Sequence, residues 1–190
     1  HFQAAHKMCR NDRHEGKYES AQAYCQEALS ALEQYYALPD EVPHVHRGAW
    51  YFLQLEQAKL LLCLEQYRQA ESMCRQIRQT FCWKRDGDQR YYLNELNLLL
   101  AEILLKLGQT AEALDLAQSC TDTALDMRGK TAKETLGCQE VLADALERTG
   151  NHEEAQQLYR HILHQLSLHY PIQTAWYQTI LEKMRPFGRP

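Results

Sequence analysis

The sequence predicts an all-α fold, a right-handed superhelical solenoid of about four helical hairpins followed by a C-terminal capping helix. Three observations predict it. Leucine, alanine, glutamine and glutamate abound over the 190 residues, while valine and isoleucine are scarce; strands favour the β-branched residues and helices the others. One six-residue turn pattern recurs four times, as Gly16-Lys17-Tyr18-Glu19-Ser20-Ala21, Glu65-Gln66-Tyr67-Arg68-Gln69-Ala70, Gly108-Gln109-Thr110-Ala111-Glu112-Ala113 and Gly150-Asn151-His152-Glu153-Glu154-Ala155. Apolar stripes at helical spacing precede and follow each turn.

The elements follow in order. Helices are expected over 2–14, 17–37, 47–64, 67–83, 89–107, 110–127, 131–149, 152–169 and 173–184. They group into units 2–37, 47–83, 89–127 and 131–169, with a capping segment at 172–184, as one domain over 1–190. The glycine at three of the turns suits the left-handed position that ends a helix. The shared alanines Ala21, Ala70, Ala113 and Ala155 stand 49, 43 and 42 residues apart. An alanine there lets two helix backbones approach closely, where a large side chain would overpack the crossing. Four positions after them come Cys25, Cys74, Ala117 and Tyr159, then Ala28, Ile77, Cys120 and Ile162. Before the turns, Ala58, Leu61 and Leu64, then Leu100, Ala101, Leu104 and Leu107, then Leu142, Ala143 and Leu146 form matching stripes. Pro39 and Pro43, Asp86-Gly87-Asp88, Arg128-Gly129 and Pro171 break the chain between units. The string Ala175-Trp176-Tyr177 repeats Ala49-Trp50-Tyr51 and marks the last helix as a lone first helix. Its tail, 185–190, reads as loose.

Two blocks, Leu105-Lys106-Leu107-Gly108-Gln109-Thr110-Ala111-Glu112-Ala113-Leu114 and Gly150-Asn151-His152-Glu153-Glu154-Ala155-Gln156-Gln157-Leu158-Tyr159, carry the pattern most fully. It resembles the tetratricopeptide (TPR) repeat. The first-helix glycine of that family is replaced by Cys9, Ala58, Ala101 and Ala143, and the family aromatic is kept only at Tyr159. The spacing of 42–49 residues exceeds the usual 34, which implies about two extra helical turns per pair. Long-helix repeats of this kind look like those of kinesin light chain and of bacterial signal-sensing regulators.

Composition excludes several classes. The net charge is −4, and neither half of the chain has the basic excess of a nucleic-acid footprint. The densest basic spot, Lys84, Arg85 and Arg90, is diluted by Asp86 and Asp88. Apolar runs are too short for a transmembrane helix. The start, His1-Phe2-Gln3-Ala4, has neither an initiator Met nor a signal-peptide pattern and reads as part of a longer chain. The cysteine count of seven is odd, and no Cys-x-x-Cys occurs. Cys9, Cys25, Cys74 and Cys120 are therefore expected as reduced thiols packed between helices, with an intracellular location.

No catalytic arrangement stands out. Gly-x-Ser-x-Gly, a phosphate loop and a calcium loop are all missing. His161 and His164 share a helix face but lack a third ligand, and His44-Val45-His46, directly after Pro43 in the first long connection, reads as a turn. No enzyme activity, cofactor or metal is expected.

What remains is a surface. The TPR resemblance implies that the first helices line a groove for a peptide or helix of a partner protein. By register the candidates are His6, Arg10 and Arg13 in the first unit and Phe52, Leu55, Lys59 and Leu62 in the second. The third unit offers Glu95, Leu98, Glu102 and Leu105, and the fourth Glu140, Asp144 and Glu147. Such a groove would run from basic through apolar to acidic and set a partner's direction. The Lys, Arg and Asn clamp of carboxylate-binding cochaperones is not matched. Two other roles remain open on the sequence, a ligand- or peptide-sensing domain of a regulator and a self-assembly module.

Overall fold

The computed structural model describes residues 2–35, 44–80, 89–169 and 174–187. Among them are nine α-helices: α1 (Phe2–His14), α2 (Tyr18–Tyr35), α3 (His44–Cys63), α4 (Tyr67–Thr80), α5 (Gln89–Lys106), α6 (Thr110–Arg128), α7 (Lys133–Arg148), α8 (His152–His169) and α9 (Ala175–Met184). A 3-10 turn, Arg185–Phe187, follows α9 where a loose tail was expected. His44-Val45-His46 forms the first turn of α3, which corrects their reading as a loop. Cys82 and the breaks expected at Pro39, Pro43, Asp86-Gly87-Asp88 and Pro171 lie outside the described residues.

All four hairpin turns close in the same way. The amide of Gly16 reaches the carbonyl of Arg13, and that of Lys17 the carbonyl of Asp12. The pairs Glu65–Leu62 and Gln66–Leu61, Gly108–Leu105 and Gln109–Leu104, and Gly150–Glu147 and Asn151–Leu146 repeat it. This double bond satisfies the last carbonyls of each first helix and needs one residue in the left-handed region. Gly108 and Gly150 supply it at φ 76° and 86°. In the second hairpin Glu65 supplies it instead, at φ 59°. Past each turn the shared alanine donates its amide to the carbonyl four residues back and is fully buried.

The helices gather into two compact units, residues 1–103 and 104–190. In the first, α2 packs on α1 and α3, α1 also packs on α3, and α4 packs on α3. Its core joins Cys9, Ala21, Cys25, Ala28, Leu29, Leu32, Trp50, Leu53 and Leu60, with Ala5, Tyr18 and Tyr24 packed against it. In the second, α7 packs on α6 and α8, and α8 packs on α9. Leu136, Ala143, Ala145, Ala155, Ile162 and Ile180 are fully buried there. Each buried leucine or isoleucine contributes about 1.5–3 kcal/mol. Buried Thr135 ties the end of α6 to the start of α7, its hydroxyl within 3.2 Å of the Ala124 carbonyl and 2.8 Å of the Gly129 carbonyl.

The cysteines depart from expectation in one place. Cys9 and Cys25 join in a disulfide between α1 and α2, with Cα atoms 6.0 Å apart. The reading of both as reduced thiols is thereby corrected, and with it one support for an intracellular location. Their burial made packing a sufficient account, and sequence separation says nothing about which buried thiols meet. Cys74, Cys120 and Cys138 are buried, and Cys63 is exposed. Burial pushes the Cys74 thiol up to about 12, so it stays protonated.

Candidate functional site

In residues 1–103 the first helices α1, α3 and α5 bring most of the expected groove residues together. Arg13 Nε on α1 lies 2.9 Å from Glu56 Oε2 on α3. Lys59, one turn on, lies 3.1 Å from Glu56 Oε1 and 3.0 Å from Glu95 Oε1 on α5. Four charges thus alternate across three helices. Glu56 is only 2% exposed. Burial works to raise its carboxyl, but Lys59 and Arg13 outweigh it and hold the group below its ordinary value. Burial likewise works against the Lys59 ammonium, and Glu95 and Glu56 hold it above its usual range.

Beside this ladder runs an aromatic strip. The His6 ring stacks on Phe52 with centroids 5.2 Å apart, and Phe52 meets the edge of Tyr92 at 5.5 Å. Tyr51 packs under both, 5.4 Å from Phe52 and 5.2 Å from Tyr92, and donates its hydroxyl to the Tyr92 carbonyl at 2.6 Å. Tyr91 meets Tyr92 at 5.7 Å. Such offset and edge contacts add about 0.5–1.5 kcal/mol each beyond area burial. Tyr51 is buried, whereas His6, Phe52, Tyr91 and Tyr92 are half-buried. Burial lowers the His6 imidazole, with Arg10 and Lys59 adding to it against Glu56 and Glu95, so it favours the neutral ring.

In residues 104–190 the equivalent face belongs to α7 and α9. Lys183 on α9 lies 2.7 Å from both Glu140 Oε1 and Asp144 Oδ2 on α7. Trp176 Nε1 donates to the other Glu140 oxygen at 2.6 Å, and the Tyr159 hydroxyl donates to Asp144 Oδ1 at 2.5 Å. Burial opposes the Lys183 charge, but the two carboxylates keep its ammonium above the usual range. Both acids are therefore committed to holding the last helix. Arg148, at the end of α7, donates to the Leu105 carbonyl at the end of α5 at 2.5 Å, where a cation suits the negative end of a helix.

The individual candidates divide accordingly. Leu55 is fully buried and Leu105 is 4% exposed, so both side chains serve the core instead of facing a partner. Arg13, Lys59 and Glu95 pair with one another through Glu56, and Glu140 and Asp144 pair with Lys183. Five charges of the expected basic-to-acidic gradient are thus engaged within their own units. Arg10 is exposed, and Phe52, Leu62, Leu98, Glu102 and Glu147 are half-buried. Sequence reasoning missed Glu56, Tyr92, Lys183 and Trp176 as members of these clusters. Glu56 had a signal, since it is the only acidic residue of α3. Among the described residues no three His, Cys, Asp or Glu side chains converge as metal ligands, and no described helix is long and apolar enough to cross a membrane.

Solved structures share the fold. Two crystal structures of kinesin-light-chain TPR-like repeats from Podosopora anserina align with 97% of this chain and 83% of theirs. Their TM-scores are 0.70 and 0.64, at 16% and 15% identity. BtubC (BKLC) from P. vanneervenii aligns with 89% of this chain and 63% of its own, with TM-score 0.64 and 16% identity. The fold is that of TPR-like repeats. At this identity the likeness concerns the fold alone. No family model and no curated protein matches the chain. Within residues 1–103 the TPR-like hairpins explain the position of the ladder and the strip, because both run between successive first helices, α1, α3 and α5.

Proposed function

We propose that the chain is a protein-recognition module without catalysis of its own, and that in residues 1–103 it binds a partner segment on the face of α1, α3 and α5. The observation that carries this reading is the aromatic strip His6–Phe52–Tyr92, which runs across three helices and is only half-buried. Aromatic rings bring a large contact area at low entropic cost and dominate binding hot spots. The charge ladder beside the strip is internally neutral, so it fixes the face more than it attracts a ligand. Exposed Arg10 is the charge left to meet an acidic group of the partner. A segment with an apolar or aromatic anchor and a nearby carboxylate fits this chemistry. Leu62, Leu98 and Glu102 extend the candidate face along α3 and α5, and in residues 104–190 Glu147 is the corresponding half-buried candidate.

Lys59 is a poor probe of partner binding, since Lys59→Glu would set a third carboxylate beside Glu56 and Glu95. Phe52→Ala and Arg10→Glu are better probes. Affinity capture with the parent chain should enrich a protein partner that falls at least tenfold with each variant, while circular dichroism stays helical. Undiminished capture by both variants, each folded, overturns the reading.

A further inference from the structure

A groove lies on α6, α7 and α8, on residues that the first-helix face does not use. Along α7, Glu140, Asp144 and Glu147 occupy one stripe, and Gln139, Leu142 and Leu146 occupy another about a third of a turn away. Over the second stripe opens a groove of 390 Å³, flanked by Gln118, Thr121, Asp122 and Leu125 of α6 and by Glu154, Gln157 and Leu158 of α8. Its apolar surface comes from four leucines, Leu125, Leu142, Leu146 and Leu158. Its charged groups are Asp122 and Glu154, and no basic side chain lines it. Asp122 is exposed and already accepts from Gln118 Nε2 at 3.1 Å through one oxygen. Glu154, in the first turn of α8, is exposed as well.

The floor holds an unmet acceptor. Gln139 is 7% exposed, and its Oε1 has no hydrogen-bond partner. A buried acceptor without a donor costs the folded state free energy, and such groups are rare enough to require an explanation. The neighbouring Thr121 hydroxyl is occupied with the Ala117 carbonyl at 2.9 Å. A donor group on an occupant of the groove would meet this acceptor.

We propose that this groove takes the anchor side chains of a cationic, leucine-bearing segment of a partner protein. A volume of 390 Å³ sits near the small end of binding-site sizes, roughly 300–1,000 Å³. It accommodates a few side chains and not a whole helix. The leucines receive the apolar anchor, Gln139 Oε1 accepts from a lysine, arginine or backbone N–H, and Asp122 with Glu154 matches the positive charge. This site is independent of the aromatic strip on α1, α3 and α5.

The test is fluorescence anisotropy with three labelled peptides of equal length on the whole chain. One mixes leucine with arginine, one mixes leucine with glutamate, and one mixes serine with arginine. The leucine–arginine peptide should bind saturably and the other two at least tenfold more weakly. Asp122→Lys combined with Glu154→Lys should weaken the first peptide at least tenfold. Gln139→Leu should also weaken it, while leaving the melting temperature unchanged or raised, which a merely structural glutamine would not do. Phe52→Ala should leave this binding intact, separating it from the first-helix reading. The proposal is overturned if the leucine–arginine peptide fails to saturate, if either other peptide binds equally well, or if the folded charge-reversal or Gln139→Leu variant binds it unchanged.

Discussion

Glu65 holds in the second hairpin the left-handed conformation that Gly108 holds in the third, φ 59° against 76°. The amides around both reach the same pair of carbonyls. The turn geometry is thus set by the closing hydrogen bonds, and the residue type decides only what that geometry costs. A side chain in this region costs roughly 1–2 kcal/mol, and glycine avoids it at about 0.5–1 kcal/mol of extra chain entropy. Glu65→Gly should therefore stabilise by about 0.5–1 kcal/mol. Gly108→Ala should destabilise by about 1 kcal/mol through backbone strain, because an added Cβ meets nothing within 4 Å. Urea unfolding curves check both signs.

Glu56 should dominate the acid limb of the stability profile. Its carboxyl sits below its ordinary value in the folded chain, so the unfolded chain binds more protons below that value. The stabilisation is present above the ordinary carboxylate range and is lost as pH falls through the folded value. Glu56→Gln removes the acceptor shared by Arg13 and Lys59 and should cost about 1–3 kcal/mol at neutral pH. The variant should also lose less stability than the parent between neutral pH and acid. Thermal melts across that range measure it, and parallel curves for parent and variant would contradict it.

Lys183 fastens α9 to α7 through Glu140 and Asp144. Lys183→Met leaves two half-buried carboxylates close together and should destabilise by about 2–4 kcal/mol. Because the Trp176 indole also binds Glu140, loosening of α9 should red-shift tryptophan emission before the rest of the chain unfolds. An emission maximum that tracks global unfolding in the variant would show that α9 stays docked.

The Cys9–Cys25 bridge closes a short loop of sequence separation 16. Closing about 15 residues contributes roughly 3 kcal/mol. Reductant should lower the melting temperature of the parent by several degrees, at roughly 2–4 °C per kcal/mol for a chain of this size. It should leave a Cys9→Ser, Cys25→Ser double variant unaffected. An equal response of both proteins to reductant would place the effect elsewhere.

The helices and the turns were legible from the residues because they are local properties. A stripe such as Leu100, Ala101 and Leu104 records which side of one helix meets the core, and Gly16, Gly108 and Gly150 record where the chain must turn left-handed. Their physics lies within a few residues of chain. The registration of groove positions was legible only by face. It placed Lys59 and Glu95 on the same groove face but did not show their contact, or Glu56 between Lys59 and Arg13. Counting along a helix gives an angle, and whether a charge at that angle is spent depends on the neighbouring helix. For the same reason Leu55 read as a contact and is core.

By itself, then, the sequence determined an all-α chain of TPR-like hairpins with turns at four known places, since periodicity and backbone preference act over single helices. The tertiary structure decided which side chains are engaged: Cys9 with Cys25, Glu56 with Arg13 and Lys59, Lys183 with Glu140 and Asp144. It also decided which groove candidates are core, such as Leu55, and which are exposed or half-buried, such as Arg10 and Phe52. Apart from the one-turn Glu56–Lys59 contact, these pairings rest on distances between residues 16 to 43 positions apart, and Coulomb, hydrogen-bond and sulfur geometry act through space and not along the chain.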